Sequence, residues 1–368
     1  MKKLTLLICW LPFLAFSQDT SRKIEFPDVD GYLTLVTDLH IHTVFSDGSV
    51  WPDIRVQEAL FDGVDAIALT EHLEYQPHRA DIPHPDRNRS YELALEYAKN
   101  KELIVIRGAE ITRSMPPGHS NAIFIKDANK LLIDDPLEVF REAKRQGAFV
   151  FWNHPHWPAQ QKDGIATLSD LHKQLIAENL LDGIEVVNEG TYSDEALQIA
   201  QSDKLAIMGT SDIHGLIDWM FDVPTGGHRP VTLVLARERT EASIREALLA
   251  GRTIAWFKNN LIGNEANLAP LLRASIRVTS AIYQDNTDVL QVTVQNVSDA
   301  RFILHNKSEY TLHESTDVVE LAPQSSVVLW VKTKKRLNKA DLPFEVLNAL
   351  TAPGTHPKIS LSATVNGN

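Results

Sequence analysis

His40 and His42 stand two residues apart in Asp38-Leu39-His40-Ile41-His42-Thr43, and Ser46-Asp47-Gly48 follows closely. The run Leu33–His42 has the texture of a β-strand, which puts Asp38, His40 and His42 on one face. Two imidazoles on one rigid strand, with a carboxylate behind them, make a sound start to a metal site. Further candidates recur downstream: His72 in Thr70-Glu71-His72, Glu110 in Gly108-Ala109-Glu110, His119 in Gly118-His119-Ser120-Asn121, and His154 in Asn153-His154-Pro155. Ser211-Asp212-Ile213-His214 adds two more and repeats the i, i+2 spacing. With Asp47 the set reaches nine His, Asp and Glu side chains, whereas one zinc ion needs three or four ligands. The surplus predicts two or three divalent ions sharing carboxylates, an arrangement suited to in-line phosphoryl hydrolysis. Taken singly, each residue reads more simply as a loop or capping residue. Together, at the ends of successive strands, they do not.

These side chains need a scaffold that brings strand ends together. Strand candidates are Leu33–His42, Ala66–Thr70, Ile104–Ile111, Asn121–Ile125, Ala148–Asn153, Gly183–Val187, Leu205–Gly209 and Val231–Leu235. Helix candidates lie between most of them, including Trp51–Leu60, Pro136–Gln146 and Glu241–Ala250, with Pro near the start of the first and Gly past the end of each. Strand–helix alternation predicts a parallel sheet, and about eight repeats suggest closure into a (β/α) barrel. The candidate ligands fall at the C-terminal ends of the strands, where such barrels carry their active sites. After about Asn264 the pattern changes to alternating apolar and polar residues, as at Ile276/Val278, Leu290/Val292/Val294 and Ile359/Leu361. That texture predicts a small all-β sandwich without helices. The expected division is a leader over 1–18, a catalytic domain over 19–262 and the sandwich over 263–368. His305, His313 and His356 in the last part have no ligand-type neighbours and read as ordinary surface histidines.

The leader expectation rests on Lys2-Lys3, the apolar run Leu4–Phe16 and the small-x-small Ala15-Phe16-Ser17. The apolar run is too short for a stable membrane span. Export to the periplasm or medium follows. Cys9, the single cysteine, lies inside the leader, so a processed chain has no disulfide and no thiolate ligand or nucleophile. Losing Lys2 and Lys3 takes the formal charge from −12 to −14. So acidic a chain argues against a broad nucleic-acid-binding face. It still admits a small anionic ester, because bound cations reverse the local field. The sandwich could pair subunits into a homo-oligomer, cover the barrel or bind another partner.

The motif set DLHIHT–SDG, TEH, GAE, GHSN, NHP and SDIH resembles the polymerase and histidinol phosphatase (PHP) family of metal-dependent phosphoesterases over roughly residues 33–257. The resemblance implies a distorted (β/α) barrel of seven strands, one fewer than the eight candidates. It also implies two or three Zn, Mn or Fe ions. His40 and His42 would hold the first with Asp212 and a bridging Glu110. His72, His214 and Asp47 would hold the second. Glu110, His119 and His154 would hold the third. The stretches from Glu71 to His78, Ile82 to Arg89 and His228 to Val234 are similar to the secreted Sb-PDE type of phosphodiesterase within this family.

The expected activity is phosphodiester hydrolysis, with a hydroxide bridging two ions attacking phosphorus in line. The alternatives are a phosphomonoesterase (nucleotide, sugar-phosphate or phosphotyrosine) and a non-catalytic metal-binding module. For the leaving group the expected proton donor is His214, with His156 and His228 as second choices. Arg229, with Arg79, Arg87 and Arg89, is the expected phosphate clamp. Asp38, Glu71, Asn153 and Glu185 read better as hydrogen-bond partners of the ligands than as ligands. Trp152, Trp157 and Trp219 flank the motifs and read as rim packing.

Overall fold

The computed structural model describes residues 23–365, so the leader expected over 1–18 lies outside the described residues. The first part of the chain runs β1 (Leu33–Ile41), α1 (Pro52–Phe61), β2 (Ala66–Leu69), α2 (Arg89–Ala98), β3 (Ile104–Ile111), β4 (Ser120–Ile123), α3 (Glu138–Arg145), β5 (Phe149–Trp152), α4 (Asp170–Ala177) and β6 (Gly183–Asn188). It continues through β7 (Thr191–Tyr192), α5 (Asp194–Asp203), β8 (Ala206–Thr210), α6 (Ile217–Met220), β9 (Val231–Ala236), α7 (Glu241–Leu249), β10 (Thr253–Phe257) and β11 (Asn260–Gly263). All eight strand candidates are present. The sheet order is β11-β10-β9-β1-β2-β3-β4-β5-β6-β7, and β8 pairs with β6. An isolated bridge between Ile41 and Ile213 draws the β8 end back towards β1, giving the distorted barrel.

The parallel order expected throughout holds only in part. β1–β2–β3 and β5–β6–β8 are parallel, but β4 runs antiparallel to both β3 and β5, and β9 antiparallel to β1. The reason at β4 is chain length. Only residues 112–119 separate β3 from β4, too few for a parallel crossover but enough for a wide hairpin. The inversion has a use, because it brings His119, at the start of β4, to the same end of the sheet as Glu110, at the end of β3. Two apolar clusters position the sheet: Leu39, Ile106, Phe149, Phe151 and Val234 are buried together with Ile244, Ala247 and Leu248 of α7, and Ile67 is buried with Val56 and Ala59 of α1 and Ala94 and Ala98 of α2.

The expectation of no helix past Asn264 is corrected. α8 (Glu265–Ser275) leads into the β domain with Pro270 inside it, and an internal proline ordinarily argues against a helix. Leu268, Leu271 and Leu272, buried on one side of α8, supply the compensating burial. Beyond it come two four-stranded sheets. One is β12 (Ile276–Tyr283), β13 (Val289–Asn296), β17 (Ser326–Lys332) and β15 (Thr311–Leu312). The other is β16 (Val318–Leu321), β14 (Phe302–Asn306), β18 (Lys339–Val346) and β20 (Lys358–Thr364). The alternating burial along β13 and β18 matches two sheets sharing an apolar interior. One short strand, β19 (Ala349–Leu350), leaves this domain and adds to the barrel sheet beside β11. Among the described residues no helix is long and apolar enough to cross a membrane.

Candidate metal centre

β1 delivers the first two imidazoles as its alternation requires. His40 and His42 are fully buried, and their Nε2 atoms lie 3.0 Å apart. Asp212 Oδ1 sits 3.1 Å from each of them. The loop after β1 then folds back on itself. Gly48 N–H donates to Thr43 O at 2.9 Å, and a Cβ at Gly48 would lie 2.8 Å from the His42 carbonyl carbon, so only glycine permits the turn that places Asp47. Asp47 Oδ1 lies 3.2 Å from His214 Nε2, and its Oδ2 lies 3.3 Å from His72 Nε2. On the other side, Glu110 is fully buried and contacts His72 Nδ1 through Oε2. Its Oε1 lies 3.1 Å from His119 Nδ1 and 3.4 Å from His154 Nε2. Glu110 Oε1 also lies 3.6 Å from His40 Nε2.

All nine ligand candidates thus converge. Donor atoms close enough to share an ion fall into three groups: His42 with Asp47, His72 and His214; His40 with His42 and Glu110; and His72 with Glu110 and His119. This grouping differs in detail from the allocation the family resemblance implied, since His42 joins the first two groups, His72 the first and third and Glu110 the last two, while His154 and Asp212 fall in none of them.

The residues fit metal ions by a second criterion. Asp47 Oδ1, Glu110 Oε2 and Asp212 Oδ1 are buried and make no well-formed hydrogen bond. Each nevertheless has imidazole nitrogens around it. Carboxylate oxygens and ring nitrogens facing one another without bonding geometry are what a cation between them produces.

The supporting groups are equally specific. His40 Nδ1 donates to Glu185 Oε1 at 2.7 Å, and Thr210 Oγ1 donates to the same oxygen at 2.6 Å. Glu185 Oε2 accepts the His154 backbone N–H at 2.6 Å. One carboxylate therefore orients two ligand candidates. Asn153 Nδ2 donates to Glu110 Oε1 at 2.8 Å. Glu71 accepts from Thr43 and Ser46 hydroxyls, both at 2.5 Å, and so pins the loop that carries Asp47. Asp38 differs from expectation. It accepts the Ser211 N–H at 3.1 Å and pairs with Arg229, steadying the Asp212 loop rather than an imidazole.

The electrostatics follow from this crowding of buried acids and imidazoles. Burial alone would strip His40 of its proton, but Asp212, Glu185 and Glu110 outweigh burial and push it up to about 10. Glu110 and Asp47 do the same for His72, pushed up to about 11. Asp47 and Asp212 raise His214 to about 9. His42, buried between the imidazoles of His214 and His72, is pulled down to about 3. Glu110 and Asp212 stay well below the usual carboxylate range: burial opposes this, and the surrounding imidazoles overcome it.

Two expected site residues are not here. Arg229 is buried with its guanidinium paired to Asp62 at 2.6 Å and Asp38 at 3.2 Å. With its charge spent inside the protein it is no clamp. His228 stacks on Trp256 with ring centres 3.5 Å apart, donates through Nδ1 to Arg229 O and accepts the Asn259 N–H at Nε2. Both nitrogens are engaged, which removes it as a proton donor. Both residues line a separate cavity of about 600 Å³ at the seam between the domains. Arg87 is tied to the carbonyls of Leu73 and His84, and Arg89 pairs with Glu92.

The metal pocket has a volume of about 270 Å³, and its lining includes Trp157, Asn188 and Glu189 beside the ligand candidates. Trp157 packs edge-on to His154 at 5.2 Å. Trp152 is fully buried on His172, and Trp219 lies exposed on α6. Sequence reasoning missed Glu189. It belongs to no motif, and only its position after β6 could have drawn notice.

The chain is similar to a crystal structure, at 2.20 Å resolution, of a two-domain protein containing a predicted PHP-like metal-dependent phosphoesterase from Bacteroides vulgatus ATCC 8482. Identity is 42%, covering 92% of this chain and 98% of that one, with a TM-score of 0.86. PsfC from Pseudomonas syringae PB-5123 is 19% identical over 61% of this chain and 91% of that one, with a TM-score of 0.42, too distant to bear on the site. Residues 276–362 match an Ig-like domain family. No curated protein matches the chain.

Proposed function

Because this chain belongs to the PHP-like metal-dependent phosphoesterases, we propose that its substrate is a small phosphodiester and that two or three Zn, Mn or Fe ions serve the nine converging residues. The observation that carries this reading is the buried Glu110 carboxylate, which meets imidazoles from four separate segments: His40, His72, His119 and His154. Ions held there acidify water and offset charge on the phosphoryl oxygens. The rest is done by the chain itself. Glu185 fixes the ring of His40, Thr112 Oγ1 at 2.7 Å fixes that of His72, and Asn153 holds Glu110. Trp157 lines one side of the pocket, and the pocket volume suits a small ester.

The preference for a diester rests on charge. Among the described residues the pocket lining includes no Lys or Arg. A dianionic monoester is commonly held by an added cationic side chain, whereas a diester carries a single negative charge. The match of three stretches to the Sb-PDE type points the same way. The leader pattern supports export to the periplasm or medium, and the net charge supports a small anionic substrate rather than a nucleic-acid scaffold. The test is to chelate the protein, restore single metals, and compare bis-p-nitrophenyl phosphate with p-nitrophenyl phosphate. Metal-restored hydrolysis with a clear diester preference is expected. A clear monoester preference would reject the diesterase reading, and a metal-loaded protein inert to both would favour a binding module.

A further inference from the structure

Once the ligand candidates are set aside, three side chains remain in the pocket lining: Asn188, Trp157 and Glu189. The Asn188 amide is committed to Glu185 and Asp212. Trp157 offers an apolar face. Glu189 alone brings a carboxyl group that is no metal-ligand candidate, and it is held unusually. Its φ is +48°, in the left-handed region that non-glycine residues seldom adopt. His154 and Asp212, on the same pocket wall, share that region with φ of +28° and +48°. Backbone strain of this kind is kept where the geometry is needed. The Glu189 N–H donates to Thr210 O at 3.1 Å, which fixes the residue against the strand end that carries Asp212. Its side chain makes no hydrogen bond or ion pair among the described residues, so the carboxyl is available to a ligand.

We propose that Glu189 is a catalytic residue that gives a proton to the leaving-group oxygen of the ester, an inference that rests on the phosphoesterase reading above. The groups expected for this role are otherwise engaged. His214 has Nδ1 on Asp212 O at 2.8 Å and Nε2 towards Asp47, and His156 Nε2 meets Thr191 Oγ1 at 2.9 Å outside the pocket lining. In the step, the bond from water oxygen to phosphorus forms as the bond from phosphorus to the leaving oxygen breaks. The Glu189 proton passes to that oxygen, which departs as an alcohol or phenol. The carboxylate left behind recovers a proton from the attacking water. The charged groups facing Glu189 are Asp212, His214, His40 and His154, and burial with the Asp212 charge raises its proton affinity.

The test is leaving-group dependence in Glu189→Gln, on paired substrates: bis-p-nitrophenyl phosphate against diphenyl phosphate, and p-nitrophenyl phosphate against phenyl phosphate. Phenoxide is the poorer leaving group and needs the proton more. A general acid is worth roughly 100-fold to 10,000-fold, so Glu189→Gln should lose about 100-fold or more on the phenyl ester of the active pair and under about 10-fold on the nitrophenyl ester, with metal content unchanged. Glu189→Gly, which relaxes the left-handed backbone, should fold and show the same selective loss. Equal losses on both esters, or a fully active Glu189→Gly, would overturn the proposal. Wild-type protein that turns over only the monoester pair would instead reject the diesterase reading and leave the Glu189 result readable on that pair.

Discussion

Replacing Arg229 by methionine separates a phosphate clamp from an internal ion pair. The guanidinium is 1% exposed and spans two acids from different elements: Asp38 on β1 and Asp62 just past α1. Asp38 is fully buried, and its other polar partner is Ser211, through its backbone N–H and its side chain. Removing the cation therefore leaves a buried carboxylate with only the neutral donors of Ser211. Breaking a buried pair from one side costs about 3–5 kcal/mol, enough to reduce the folded-to-unfolded ratio by more than a hundredfold at 25 °C.

The same structure gives the pH dependence. Burial already raises Asp38 above its ordinary value, against the pull of Arg229. Without Arg229 it rises further. A carboxyl whose folded-state pKa exceeds its unfolded value destabilises the fold above that pKa, and the penalty fades as pH falls through it and the proton is bound. Urea unfolding of Arg229→Met and wild type between pH 8 and pH 5 should show a large deficit that narrows towards acid. Asp38→Asn in the Arg229→Met background should recover part of it. The KM for a diester should not move, since Arg229 is absent from the metal pocket. A tenfold rise in KM with unchanged stability would restore the clamp and refute the ion-pair reasoning.

Other outcomes follow from the site. Asp212→Ala should abolish turnover while leaving the far-ultraviolet circular dichroism unchanged. His154→Ala should lower the metal content measured by elemental analysis by one ion per chain, and an unchanged content would exclude a third ion held there. Glu185→Gln should weaken metal affinity or activity by about 10–100-fold, the usual effect of losing the carboxylate that orients a ligating histidine; a loss under twofold would mean that Glu185 does not orient His40. In metal-free protein His40, His72 and His214 carry protons at pH 8, because their values lie near 10, 11 and 9. Metal binding at that pH should release protons, seen as a buffer-dependent heat in titration calorimetry, and a heat independent of the buffer would contradict those values. Because these values are raised on folding, their stabilisation of metal-free protein is complete below about pH 6.5 and fades as pH rises through 9–11.

The ligand candidates were legible because their types are rare together and their positions follow from strand ends. His40 and His42 needed only the two-residue period of β1. The helices α1, α3 and α7 were marked by proline at the start or glycine past the end, and their boundaries followed within a residue or two. Strand direction was not legible. Whether β4 pairs parallel or antiparallel depends on whether residues 112–119 can host a crossover, and the motif in that stretch says only that His119 is a candidate. α8 was hidden by Pro270, whose cost is met by contacts far away in the chain. β19 could not be seen either, since a two-residue strand has no period and its partner β11 is almost ninety residues earlier.

Arg229 and His228 show a different limit. An arginine beside a histidine near a strand of the catalytic sheet has the composition of a substrate clamp, and composition was all the sequence offered. What decided their role was the inward acid across the fold. Asp38 lies two residues before His40 on the same strand, yet it turns to Arg229 and Ser211 while Glu185, from β6, takes the imidazole. An acid near a ligating histidine in sequence is therefore a weak guide to its hydrogen-bond partner, because in a closed sheet the carboxylate best placed to reach the far ring nitrogen comes from the opposite wall. The same reasoning explains Glu189: the residue that faces the ester is set by where β6 ends against β8, a pairing that no local motif records.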